Sequence, residues 1–464
     1  MHPMHSRDTE SQRWSHLKTI LSARQLWAIF LSLVSFLFLF AIDHMEEESC
    51  RAEFACPWYR QVLSSSFWYQ VAVTNAGLNK PENSHVALVI IQDPLVIGNV
   101  CLKRSFIANL LRTLDDSRSN TIVFDLWISS DRCADEETNK DLVSALEQAH
   151  ARLVFGQPAW STVNLVPNER EVLRRKGLQE TDLILKPTFF DQDTRIAHLL
   201  GHDQQDSGKH PRVTTGLVTL NLDNRRIPLG WDAFSDRDSV GHKPPLPTET
   251  LAVASVRAYN RDDPFLSHLP ALVKAGKDPF TSFIREDKFL RKSAEELVCK
   301  GPYRDRLKQW QERCPSISQS PQIPVDLHNR VIVVGQVDVD QDLDMHDTVV
   351  GRMSGVALQG NYIEALLSLR YFRRVHPLIE LLIAVVWFWF IDFIFKKYAD
   401  RPLHALLVCA FANVVAWVIV YHLVILELRY YISMLVPSFL MIAARFIWTF
   451  DIREHRRHSE LHEA

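Results

Sequence analysis

Residues 26–42 are apolar at every position except Ser32 and Ser35, and three further stretches, 378–395, 404–423 and 432–450, are apolar around nearly the whole helix. A helix rising about 1.5 Å per residue needs about 20 such residues to cross a hydrocarbon core of about 30 Å. The pattern predicts four transmembrane helices, one N-terminal and three C-terminal. The first run exceeds the apolar core of a signal peptide. Asp43, His44, Met45 and three glutamates at 46–48 follow it in place of a small-x-small cleavage site. It reads as a retained signal-anchor.

Basic residues set the direction. Arg7, Arg13, Lys18 and Arg24 precede the first span, Lys396, Lys397 and Arg401 separate the second from the third, and Arg453, Arg456 and Arg457 follow the fourth. All three groups fall on one side if the N-terminus is cytoplasmic. Residues 1–25 and the tail 451–464 are then inside, and residues 43–375 form a large domain outside, on the far side of the cell (inner) membrane. Within the spans, Asp392 and Arg445 have similar depth and opposite charge, and are expected to form an intramembrane pair.

The pattern changes inside the exported segment. HVALVIIQ (85–92), TIVFDL (121–126), RLVF (152–155) and RVIVVG (330–335) are short apolar runs of strand length. Residues 103–114, with Phe106, Leu110, Leu111 and Leu114 at helical spacing, follow the first. A second helix at 140–150 follows TIVFDL. Strands alternating with helices imply an α/β domain with a largely parallel sheet. Further strands are expected at 213–220 and 226–229, and a helix at 354–369. Residues 232–247 and 262–324 are loop-rich or helical and cannot be ordered from the pattern.

Cysteine placement agrees with export. Of the 7 cysteines, all but Cys409 lie between residues 43 and 375, where disulfides persist. If the strands at 85–92 and 121–126 are parallel neighbours, the loops after them leave the same sheet edge. Cys101 should then pair with Cys133. Cys299 with Cys314 and Cys50 with Cys56 follow by elimination and closeness. The 52 Lys+Arg nearly balance 55 Asp+Glu, for a net charge of −3, so charge gives no reason to expect a nucleic-acid partner.

These residues carry a resemblance. ALVIIQD, ending at Asp93, NLLRTLDDSRSNTIVFDLWISSD with Phe124–Asp125, DLVSALEQAHARLVFG, and the stretch from VIVVGQ to LRYF resemble the second type of CHASE domain. This is the extracytoplasmic sensor found with cyclases and histidine kinases. The family's closing pattern falls on Gly335, Asp347, Thr348, Met353, Gly355, Val356 and Asn361. Ser354 and Val349 stand where the family has proline, and Leu358–Gly360 interrupts its His-Ala step. The resemblance implies a sensor. Its usual kinase, cyclase or phosphodiesterase would follow the last span, where this sequence has only 451–464.

In an open parallel sheet, ligands bind beyond the carboxyl ends of the strands. Asp93, Asp125, Trp127, Gly335 and Asp338 follow the strong strands, and Arg104 opens the first helix near the same edge. Together they are the candidate small-molecule site. The structural alternative has Asp93 and Asp125 capping loops or pairing with Arg104. Asp338, Asp340, Asp342, Asp344 and Asp347 invite a calcium reading, but Leu343 and Val349 stand where a hand-type loop needs Gly and Glu. His198, His202 and His210 sit in a polar, glycine-containing loop. No metal, no cofactor and no catalytic residue is expected, and no enzyme motif is present.

Two readings follow. In the first, a sensor of a small solute or envelope partner, held in the lipid bilayer, signals through a separate cytoplasmic or membrane output protein, with homo-oligomerisation left open. In the second, the chain is a non-sensing anchor, assembly component or membrane-acting effector.

Overall fold

The computed structural model describes residues 84–129, 136–161, 183–191, 212–218, 226–235, 240, 243–244, 246–274, 278–303, 314, 324–337, 344–348, 350–421, 423–424, 428–431, 438–439 and 441–449. The predicted span 26–42, Cys50, Cys56, Cys133, His198, His202, His210, Asp338, Asp340, Asp342 and the tail 451–464 lie outside these. The chain divides into two compact units, Thr74–Phe372 and a second made of Met1–Val73 with Arg373–Ala464.

In the first unit, chain order runs β1 (Val86–Ile91), α1 (Pro94–Gly98), α2 (Val100–Asp116), β2 (Thr121–Asp125), α3 (Glu136–Gln148), β3 (Arg152–Gln157), β4 (Ala159–Ser161), β5 (Leu183–Leu185), β6 (Val213–Leu217), β7 (Gly230–Phe234) and β8 (Leu246–Glu249). It continues with α4 (Leu251–Tyr259), α5 (Pro264–Lys274), β9 (Phe280–Thr281), β10 (Leu290–Ser293), α6 (Ala294–Lys300), β11 (Val331–Gln336), the hairpin β12 (Met345–Thr348) and β13 (Gly351–Ser354) and α7 (Gly355–Leu367), after which β14 (Tyr371–Arg374) runs across the boundary between the units. Six strands form the main sheet in the order β10-β1-β11-β2-β3-β6, all of its pairs parallel. A smaller sheet, β4-β5-β7-β8, stands beside it.

Composition explains the order. Val331 to Gly335 of β11 are all buried, as a strand covered on both faces requires. In contrast, β10 reads LRKS and lies at an edge, where Arg291 and Lys292 blunt further pairing. Side chains alternate between two layers. Ala87, Val89 and Ile91 of β1, Ile332 and Val334 of β11 and Phe124 of β2 share a core with Phe106, Leu110 and Leu114 of α2, Leu142 and Leu146 of α3, and Val298 of α6. The opposite face is covered by α4, against β2, β3 and β6, and by α7, against β1 and β11.

Three expectations need correction. β1 and β2 are not neighbours, because β11 lies between them, about two strand spacings apart. Cys101 lies in the first turn of α2 instead of a loop, because Asn99 caps that helix from further upstream, accepting from the amides of Cys101 and Leu102 at 3.1 Å each. The neighbouring-strand argument for its partner therefore fails. Cys101 is disulfide-bonded to a cysteine outside the described residues, whereas Cys299 and Cys314 are joined with a Cα separation of 5.4 Å. Third, 226–229 is not a strand. Arg226 makes an isolated bridge to Phe280 and stacks its guanidinium 4.8 Å from that ring, Pro228 lacks an amide donor, and pairing starts only at Gly230.

Glu364, buried near the end of α7, holds the entry to the sheet. Its carboxylate accepts from Ser84 Oγ at 3.0 Å, from the His85 amide at 2.8 Å and from the Val86 amide at 3.1 Å, and lies 3.1 Å from His85 Nδ1. The hydrogen bond to Glu364 raises the His85 pKa above its ordinary 6.5. The stability it contributes is full below pH 6.5 and is lost as pH rises through the raised value. In unfolding titrations from pH 6 to 8.5, His85→Ala should flatten this loss. An unchanged slope would assign it to another group.

Among its described residues the second unit holds α8 (Pro377–Lys397), α9 (Pro402–Tyr421) and a helical stretch over 441–449. Proline opens α8 at its first position, and His376 caps it by accepting from the Leu378 amide. Among the described residues, one helix, from Leu378 to Lys397, is long and apolar enough to cross a membrane. The apolar part of α9, Pro402–Ala416, is shorter. Four transmembrane helices are thus expected from the sequence, and one candidate is present among the described residues. Arg445 Nη2 lies 2.9 Å from Asp392 Oδ1, whose other oxygen lies 2.6 Å from Lys396 Nζ one turn on.

Candidate functional site

The connections of the main sheet put a topological switch point at its carboxyl edge. β1 and β2 are followed by α2 and α3 on one face, whereas β11, lying between those strands, is followed by α7 on the other. Adjacent strands whose connections leave on opposite faces open a gap beyond their ends, and there an α/β sheet receives ligands. Asp125 ends β2 and pairs in register with Gly335 of β11.

Gly335 is required by close approach. A Cβ there would lie 2.7 Å from the side chain of Val356 in the first turn of α7, and 3.6 Å from Cβ of Asp125. The missing side chain lets α7 start directly over the strand end. Ser354 caps α7, its hydroxyl accepting from the Ala357 amide at 3.4 Å, while Glu286 Oε2 accepts from the Ser354 amide at 2.9 Å. The carboxylate of Asp344 lies against Gly355, and a Cβ there would require it to shift. No hydrogen bond reaches the Asp125 carboxyl among the described residues. Burial, reinforced by the charge of Asp344, pushes its pKa up to about 7. Nearby, Lys103 donates to Gln336 Oε1 at 2.9 Å, and burial lowers its pKa.

The other expected site residues divide. Asp93 caps α1, accepting from the Leu95 amide at 2.8 Å, and its own amide donates to Glu295 Oε1 at 2.9 Å, so the end of β1 is closed by the chain itself. Arg104 is buried and faces α3 rather than the ends of β2 and β11. It donates to Ser129 O at 2.8 Å and to Asn139 Oδ1 at 2.6 Å, with its guanidinium 4.8 Å from the centre of the Phe189 ring. Helix geometry points it there, four residues from Ala108 on the packed face of α2. Trp127 is 41% exposed, and its indole donates to Pro187 O at 3.2 Å. Asp338 lies outside the described residues. The structure therefore brings Asp125 and Gly335 together, places Trp127 two residues further on, and turns Asp93 and Arg104 to structural work.

Sequence reading passed over Lys103, Gln336 and Lys186, and took Asp344 only as part of an acidic run. Lys103 had a usable signal, one position before Arg104 on the same helix. Among the described residues no group of three or more His, Cys, Asp or Glu could hold a metal ion.

The fold is an α/β domain built on a parallel six-stranded sheet, with Asp125 and Gly335 paired at the carboxyl ends of β2 and β11. The CHASE2 domain matches residues 58–394. That is most of the chain, and the protein belongs to the CHASE2 family, a family of sensor domains that are typically extracytoplasmic. No curated protein and no solved structure matches.

Proposed function

We propose that the protein is an integral-membrane sensor whose exported α/β domain binds a small polar solute at the carboxyl edge of β2 and β11, without catalysing a reaction on it. The signal passes through the membrane helices to a separate output protein. The observation that carries this reading is Asp125, a carboxyl kept without a hydrogen-bond partner among the described residues, at the switch point of the sheet. Strongly perturbed carboxyls cluster at functional sites, and the carboxyl edge of an α/β sheet at its switch point is where ligands bind in such folds. Membrane insertion is supported by α8, which leaves Leu382, Val386, Trp389 and Phe393 exposed along one side.

Thermal-shift screening of the full-length protein in detergent against small polar metabolites tests the reading. A ligand at 100 times its Kd adds about 2.7 kcal/mol to apparent stability. At least one compound should raise the Tm of the wild type and lose that effect with Asp125→Asn. Hits that act equally on both proteins would place the site elsewhere.

A further inference from the structure

Lys186 is a half-buried cation between two indoles. Its ammonium lies 5.2 Å from the ring centre of Trp127, just past β2, and 5.5 Å from that of Trp160, in β4. No carboxylate pairs with it among the described residues. Its position is fixed by the backbone, since its amide donates to Pro158 O at 2.9 Å and its carbonyl accepts from Gln157 Nε2 at 3.4 Å. The following residues are tied to the extension of β2, through Trp127 Nε1 to Pro187 O and through the Phe189 amide to Ile128 O at 2.9 Å. Arg104 braces this wall from behind by its contacts with Ser129 and Phe189.

We infer that this wall binds the acidic sugar class of solute, with a carboxylate on Lys186 Nζ and the apolar C–H face of a pyranose ring against the exposed indole of Trp127. The inference rests on the ligand-binding reading of this sheet edge and names the solute it takes. A small hydrated anion would use the ammonium but gain nothing from the indole, and a neutral sugar would use the indole but leave the ammonium without a counter-ion. A carboxylate joined to a pyranose uses both. A charge-assisted hydrogen bond in a half-dry site is the stronger of the two contacts.

Isothermal titration of the full-length protein in detergent with D-glucuronate, D-glucose and acetate tests this. Glucuronate should bind at least about tenfold more tightly than either of the others, as one charge-assisted bond or one stacked ring warrants. Lys186→Met should abolish the preference for glucuronate over glucose, Lys186→Arg should retain it, and Trp127→Leu should abolish the preference over acetate. Equal binding of acetate, equal binding of glucose, unchanged glucuronate binding by Lys186→Met, or no glucuronate binding would each overturn the inference. The two readings separate cleanly. If glucuronate fails while other solutes still stabilise the protein through Asp125, the edge remains a site and only the solute class falls. If Lys186→Met abolishes binding and Asp125→Asn leaves it intact, the wall is the site and the role of Asp125 falls.

Discussion

Asn361→Ala should destabilise the α/β unit by about 3–5 kcal/mol and lower its Tm by about 10 °C. The side chain is fully buried in α7. Its Oδ1 accepts from the Ile284 amide at 2.6 Å, while Nδ2 donates to Ile284 O at 3.1 Å and to Ala357 O at 3.0 Å. It thus satisfies both backbone groups of a residue that belongs to no strand or helix. Alanine would leave an amide and a carbonyl orphaned in a dry environment, each costing about 1–3 kcal/mol, and would add a small void. Asn361→Asp keeps the acceptor for Ile284 but sets a carboxylate against two carbonyl oxygens, so it should be no better than alanine at neutral pH. Thermal and urea unfolding of the full-length variants measures this. A loss below about 1 kcal/mol for Asn361→Ala would mean that water reaches Ile284 once the side chain is gone.

Asn361 also shows where the sequence was informative. It was picked out as part of a closing motif, but nothing in that motif announced a backbone clamp on a segment 77 residues earlier. The same division runs through the fold. β1, β2, β3 and β11 were legible because a strand buried on both faces reads as a short, nearly continuous apolar run rich in Val and Ile, bounded by polar residues. β10 was not, because an edge strand reading LRKS has no apolar signature, and its partner Ala87–Ile90 lies some 200 residues away. The insertion of β11 between β1 and β2 was equally invisible, since strand order is decided by long-range packing after the local pattern is spent. At the site, Asp125 and Gly335 could be read as strand ends. Lys186 could not, because it reaches the edge from a short strand in the proline- and charge-rich middle. Arg104 was near the right edge in sequence and turned away from it in space, as a helix turns each residue about 100° from the last.

Asp125→Asn should stabilise the protein at neutral pH by about 2–4 kcal/mol while weakening its response to ligand. The carboxyl titrates near 7 in the fold, against an ordinary 3.8, because burial and then Asp344 disfavour its charge. The native state therefore holds a proton that the unfolded chain gives up between these values. The stability this confers is full below about pH 4, falls as pH rises, and is gone by about pH 7, beyond which the fold carries an ionised group it holds poorly. A shift of this size corresponds to about 4 kcal/mol, reduced here because the residue is only partly buried. Asparagine has nearly the same shape and cannot ionise, so the variant should match the wild type at pH 4 and exceed it increasingly up to pH 7. Its window, from about pH 4 to 7, overlaps that of His85 only near neutrality, so the two groups can be told apart in one pH series of both variants. Parallel stability curves for wild type and Asp125→Asn from pH 4 to 7 would show that the carboxyl is solvated in the native state. Divergent curves would mean that the fold gives up stability at the carboxyl edge of its sheet, as sites kept for binding commonly do. A cationic or hydroxyl-bearing solute reaching Asp125 would then recover part of that loss. Occupancy would be coupled to the first turn of α7, which packs on Gly335 beside it, and α7 is the last helix before the chain enters α8.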